Sequence, residues 1–338
     1  MRLYTKLVLT VLFGAVFLCS APVIIENLSD FKLIYKGWSA RYGDSFDSSE
    51  RLRIKRSAAN QDMNGLWQVF WSEKSEEVKG DSKNIETLCL FYDGDCSLIW
   101  NVSFISGGYP GEENDNHCAV SAELSWLLWG STDTLGKEIE IGKRRLTVSG
   151  IYDGEEPTAI IAGDASSELG NIDWVLKEPV IRETLIGYIE TLGIGKPDSI
   201  VDGEGMGMLM TFLSSIPIIA AGAITAATTV SALMKYVPGT WKKWIFIGVI
   251  LILSMFLPVL LSKLPGWILP SKWSDFSFWS SLMGDFTGYM KEWFGLKPTA
   301  KDIYAKQLML KQVILVTVSL TSLGLFYHFA NIGIVKNK

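Results

Sequence analysis

The stretch "ELSWLLWGSTDTLGKEIEIGKRRLTVSGIYD" (123–153) reads as a helix, a loop and two strands. Ser121 stands where an N-cap is wanted, because its side-chain oxygen can accept from an unpaired amide of the first turn. Leu124, Leu127 and Leu128 recur at helical spacing, and Gly130 offers the left-handed stop. Trp126 and Trp129 are expected to press this helix onto a sheet. "KEIEIG" (137–142) and "RRLTVSGIYD" (144–153) alternate apolar and polar residues around a turn at Gly142 and Lys143. That is soluble α+β structure, and its flanks have a different character.

The chain has 338 residues and is 48% hydrophobic, high for a soluble protein and low for one made only of membrane helices. The excess lies in four blocks, 7–25, 206–234, 244–262 and 313–335. Each suits a helix crossing the hydrocarbon core, which takes roughly 20 apolar residues. The first block follows Arg2 and Lys6, as a signal peptide would, but it continues through Ile24 and Ile25. That exceeds a signal core of about 7–15 residues, so a retained helix is expected. Lys235, Lys242 and Lys243 fill the short link after the second block, and Lys336 and Lys338 close the chain. With Arg2 and Lys6 they mark one side as cytoplasmic. The expectation is a multi-pass cell-membrane protein with both termini cytoplasmic.

The divisions that follow are 1–25 (terminus and first span), 26–205 (an extracytoplasmic α+β domain inserted after that span), 206–263 (spans two and three), 264–312 (an outer loop) and 313–338 (span four and terminus). Residues 26–205 carry 32 acidic and 17 basic side chains, while the whole chain stands at −5. An acidic outer domain is a poor ligand for nucleic acid. "GLWQVFW" (65–71) and "EPTAIIAG" (156–163) read as strands, and "EPVIRETLIGYIETLG" (178–193) as a helix ending near Gly193. "LCLFYDGDCSLIW" (88–100) reads as a hairpin turning at Asp93 and Gly94. Cys89, Cys96 and Cys118 are candidates for one disulfide, its pairing open and one thiol left over.

The outer loop holds Trp267, Trp273, Trp279 and Trp293, and its amphipathic run is expected to lie at the membrane surface against lipid. The second span is rich in small and hydroxyl residues, the composition of a packed helix contact. The joint after the first span has no glycine, whereas Gly195, Gly203, Gly205 and Gly207 crowd the joint before the second. The first joint is therefore expected to be stiff and the second a hinge. No phosphate-binding loop, G-x-S-x-G elbow or His-Glu-x-x-His segment occurs, so no catalytic residue, cofactor or metal is expected.

"AVSAELSWLLWGS" (119–131), "TLGKEIEIG" (134–142) and "RRLTVSGIYD" together resemble the MacB-like periplasmic core domain of the FtsX/MacB class of ABC transporter permeases. "FISGGYPGEEND" (104–115) resembles that family's glycine turn ending in acidic residues. The matching positions are Gly107, Gly108, Trp129, Gly130, Leu135, Gly136, Lys137, Val148 and Gly150. Ordinary fold-building accounts for all of them. The resemblance implies a divergent, non-catalytic permease subunit with four transmembrane helices and this domain between the first two. It further implies a homodimer or a related permease partner, and a separate cytoplasmic ATPase whose work reaches a peptide, lipid, lipoprotein or cell-wall partner outside. The segment "SALMKYVPGTWKKW" (231–244) stands where the class carries Glu-Ile-Gly and Arg-Ala-x-Gly. That departure keeps a second reading alive: a membrane-anchored accessory or sensor protein without an ATPase.

Overall fold

The computed structural model describes residues 2–60, 66–81, 83–111, 116–177, 180, 182–236, 238–239, 247–248, 251, 254–255, 276–296 and 298–335. The chain divides into two compact units. One comprises Met1–Lys32, Gly205–Phe294 and Asp302–Lys338, the other Leu33–Glu204 and Gly295–Lys301.

Among the described residues, the second unit is built on one ten-stranded sheet. In chain order its strands are β1 (Trp38–Phe46), β2 (Leu66–Lys79), β3 (Asn84–Asp93), β4 (Phe104–Gly107), β5 (His117–Ser121), β6 (Glu138–Ile141), β7 (Arg144–Tyr152), β8 (Thr158–Ala162), β9 (Leu169–Leu176) and β10 (Ser199–Asp202). Their spatial order is β10-β1-β9-β2-β3-β8-β5-β7-β4, with β6 pairing β2 and β7. Among the described residues, only β3 with β8 and β5 with β7 run parallel.

Helices α2 (Ser48–Asn60) and α4 (Arg182–Thr191) contribute Ile54, Ala58, Leu185 and Ile189 to one core. Trp38, Ala40, Phe70, Ile172 and Trp174 meet them from β1, β2 and β9, where the two-residue period of a strand puts them on one face. Helix α3 (Ala122–Trp129) seals a second core with Leu124 and Leu128. Its Ser121 cap accepts from the Leu124 amide at 3.1 Å, and Gly130 closes it at φ 70°.

The first unit contains the apolar helices α1 (Arg2–Ile34), α5 (Gly203–Tyr236) and α7 (Ala300–Val335), apart from their sheet-proximal ends, and also α6 (Phe276–Gly295). Among the described residues, three spans are long and apolar enough to cross a membrane, Tyr4–Ile34, Gly203–Ala232 and Ala300–Ala330. The span expected at 244–262 lies for the most part outside the described residues. Helices α1 and α7 pack closely where Gly14 meets the Phe326 ring, which a side chain at 14 would approach to 3.2 Å. Phe13 stacks on Phe329 at 5.9 Å, and Ser20 donates to Ser319 at 3.0 Å.

Several expectations need correction. The second arm of the 88–100 hairpin is absent: β3 pairs instead with β2 and β8, and Cys96–Leu98 forms a 3-10 turn. Asp95 caps that turn through the Ser97 amide, a local bond that competes with strand pairing. The glycines at 203, 205 and 207 lie inside α5 instead of forming an open joint. Gly203 serves close packing: a Cβ there would come within 2.2 Å of Tyr35 Cβ and 2.5 Å of the Gly37 carbonyl.

Candidate functional site

The residues singled out by their motif gather at one end of the sheet. Gly107 ends β4 at φ 73°, and a Cβ there would lie 2.0 Å from the Ser149 carbonyl on β7. A Cβ on Gly150 would lie 2.2 Å from the Gly108 carbonyl. The two strands therefore approach in a way only glycine allows. Across the same strand, the Gly136 amide donates to the Val148 carbonyl at 2.8 Å, and the Val148 amide donates to the Lys137 carbonyl at 2.9 Å. The Leu-Gly-Lys turn is thus a short antiparallel graft onto β7. Leu135 is itself exposed.

Trp129 is half-buried beside α3's core; its indole N–H donates to Asp81 at 3.2 Å and Lys137 lies 5.2 Å from its ring. Trp126 is 58% exposed, contrary to the expectation that both tryptophans press on the sheet. The reason is phase: Leu124 and Leu128 point inward one turn apart, and Trp126 falls on the opposite side. In place of the expected disulfide, Cys89, Cys96 and Cys118 are free buried thiols. Burial pushes the Cys89 thiol up to about 12, with Glu76 adding to it, and burial raises Cys96 and Cys118 as well. These thiols are core residues, and burial in apolar surroundings favours their protonated form.

Of the four loop tryptophans, Trp267 and Trp273 lie outside the described residues and Trp279 falls within α6. Trp293 is 3% exposed, against Phe294 at 5.1 Å and with Lys306 Nζ 5.7 Å from its ring.

A cluster that the sequence reading missed sits on the sheet. Asp173 on β9 is 5% exposed and points to the face opposite Trp174. The Trp71 indole N–H donates to its Oδ1 at 2.8 Å, and the Ser39 hydroxyl donates to the same oxygen. Lys301 Nζ reaches its Oδ2 at 2.5 Å, and Arg41 Nη1 lies 3.6 Å from Oδ1. Lys301 is 3% exposed and belongs to the first turn of α7, a turn whose Ala300 amide donates to Glu73 on β2 at 2.6 Å. A carboxylate there suits the positive end of a helix. The available signals were an acid inside the apolar strand "NIDWVL" (171–176) and a basic residue in "WSAR" (38–41). Nothing local links either to Lys301.

No family model matches the chain, and no curated protein matches it. Solved structures similar to it include the periplasmic region of MacB from Actinobacillus actinomycetemcomitans. That match is 11% identical with a TM-score of 0.42, covering 55% of this chain and 98% of the other. Another is the extracellular domain of the noncanonic ABC-type transporter YknZ from Gram-positive bacteria. There the identity is 10% and the TM-score 0.38, over 48% of this chain and 96% of that one.

Proposed function

We propose that this chain is a non-catalytic, permease-like membrane subunit whose sheet unit works outside the cell membrane. The observation that carries the reading is where the apolar helices meet the sheet unit in the chain. Leu33 and Ile34 of α1 lead into β1, β10 leads directly into Gly203 of α5, and α7 starts with Ala300 and Lys301. Each helix thus has one end inside a single folded unit, an arrangement suited to passing movement along helices. The family-like motif of 104–153 supports the same reading.

In this proposal four helices span the membrane with both termini cytoplasmic. A separate cytoplasmic ATPase drives a homodimer, or a pair with a related permease. The outer unit acts on a peptide, lipid, lipoprotein or cell-wall partner, and α6 rests at the outer lipid surface. Affinity purification of the tagged chain from its native membranes tests it. Recovery of an ATPase subunit in stoichiometric amount is expected. Repeated recovery without one would leave the accessory or sensor reading, which the departure at 231–244 favours. Topology is checked separately: a cysteine placed at Thr240 should resist an impermeant reagent applied to intact cells.

A further inference from the structure

Asp173 holds two cations where one would neutralise it. Lys301 Nζ is 2.5 Å from Oδ2, while Arg41 Nη1 is 3.6 Å from Oδ1 and also donates to Ser39, which donates to the same carboxylate. Both cations face one indole, Arg41 at 4.5 Å and Lys301 at 5.4 Å from the Trp71 ring. Their positions differ in kind. Arg41, Ser39 and Trp71 belong to strands of the sheet, whereas Lys301 belongs to the first turn of α7.

Opening a buried ion pair is ordinarily opposed because it strands a charge in a poorly solvated place. That obstacle is removed on the Asp173 side. If Lys301 withdraws, the carboxylate keeps the Arg41 guanidinium, the Ser39 hydroxyl and the Trp71 N–H. Lys301 itself carries a compact, strongly hydrated charge on a flexible stem and gains water on leaving. A second grip on this turn, Glu73 on the amides of Ala300 and Lys301 at 2.6 and 3.5 Å, is half-buried and within reach of solvent.

We propose that Asp173 is the receptor of a releasable latch. Lys301 engages it to hold the first turn of α7 to the sheet, and Arg41 is the standing partner that keeps the carboxylate compensated when Lys301 lets go. The element has two states, as switching elements require. The sheet thereby gains a hold on one apolar helix that can be made and broken. The latch does not depend on the ATPase reading, since it rests on groups within the sheet unit alone.

The test is the rate at which the Lys301 amine is acetylated in the full chain in detergent, read by mass spectrometry. Hydrogen exchange of β9 amides serves as the reference for the sheet. Asp173→Asn should raise the Lys301 rate by at least about tenfold with β9 still protected. Arg41→Gln should lower the rate below wild type, because opening would then strand Asp173. A purely structural cluster gives the opposite sign, so a faster Lys301 in Arg41→Gln overturns the proposal. The wild-type chain supplies a check that needs no variant. Lys301 modification should be nearly independent of denaturant, as for a local opening. If it follows the same denaturant slope as the β9 amides, Lys301 is freed only with the sheet and there is no latch.

Discussion

Asn27 on α1 donates through its amide nitrogen to Oε1 of Gln312 on α7 at 2.6 Å, and neither side chain is exposed. Gln312 passes the contact on, donating to Ser214 on α5 at 2.5 Å, while Asn27 also donates to the Leu308 carbonyl at 2.9 Å. Three apolar helices are joined by one amide pair and a hydroxyl. Such bonds fix register where apolar packing alone tolerates sliding. Gln312→Leu should cost about 1–2 kcal/mol, since it leaves the Asn27 amide short of an acceptor. Adding Asn27→Leu should cost less than a second independent loss, because the two groups share one contact. Unfolding of the full chain in detergent measures both, and full additivity would count against a shared network.

The two sides of α3 should respond very differently. Leu124 is fully buried, so Leu124→Ala should destabilise the sheet unit by about 2–5 kcal/mol. Trp126 is mostly exposed, and Trp126→Ser should stay within about 0.5 kcal/mol of wild type. Thermal melts of the two variants decide it; comparable losses would mean α3 is rotated from the orientation described.

Glycines of the motif fall into two classes that alanine will separate. At Gly136 a Cβ meets nothing within 4 Å, so Gly136→Ala pays only for its φ of 78°, about 1 kcal/mol. At Gly150 a Cβ would collide with the backbone of Gly108 and the ring of Phe104, so the β4–β7 pair has to part. Gly150→Ala should therefore be the more damaging by several-fold in free energy, measured by denaturant midpoint.

Buried thiols and phenols make the sheet unit sensitive to alkali. In the unfolded chain thiols ionise near about pH 8.5 and phenols near about 10. In the fold, burial holds Cys89 neutral until about 12, and it raises Cys96, Cys118, Tyr42 and Tyr152 as well. A raised pKa means the neutral form is favoured by folding. Its contribution is complete below the unfolded value and drains away as pH climbs toward the folded one. Melting temperature should accordingly fall from about pH 9 upward. Cys89→Ala should flatten that fall, and a thiol reagent at pH 8 should leave Cys89, Cys96 and Cys118 unmodified until the protein unfolds.

The stretch from α3 to β8 was legible in the sequence because its signals are local. Ser121 and Gly130 bracket eight residues of helix, and Gly142 sits at a two-residue turn between alternating strands. β1, β9 and β10 lacked such signals. β1 reads "WSARYGDSF", with a charge and a glycine inside it, and takes its identity from partners more than a hundred residues away. The Asp173 cluster was hidden for the same reason: Lys301 stands 128 positions from its carboxylate. Aromatic content misled at Trp126, because composition does not give the phase of a helix.

The strand order also sets a timetable for synthesis. β1 emerges early, directly after α1, yet both its neighbours come late: Arg41 lies opposite Asn171 on β9 and Ser199 on β10. Until then both its edges are open to unwanted pairing. The stretch from β4 to β8 can assemble in the meantime from near neighbours in the chain, which are the contacts that form fastest. β9 then arrives as the strand that joins β1 to β2, and β10 caps the edge immediately before the apolar run of α5 leaves the ribosome. The same strand that closes the sheet brings Asp173 with it. The seat for Lys301 is therefore finished well before the lysine that fills it has been made.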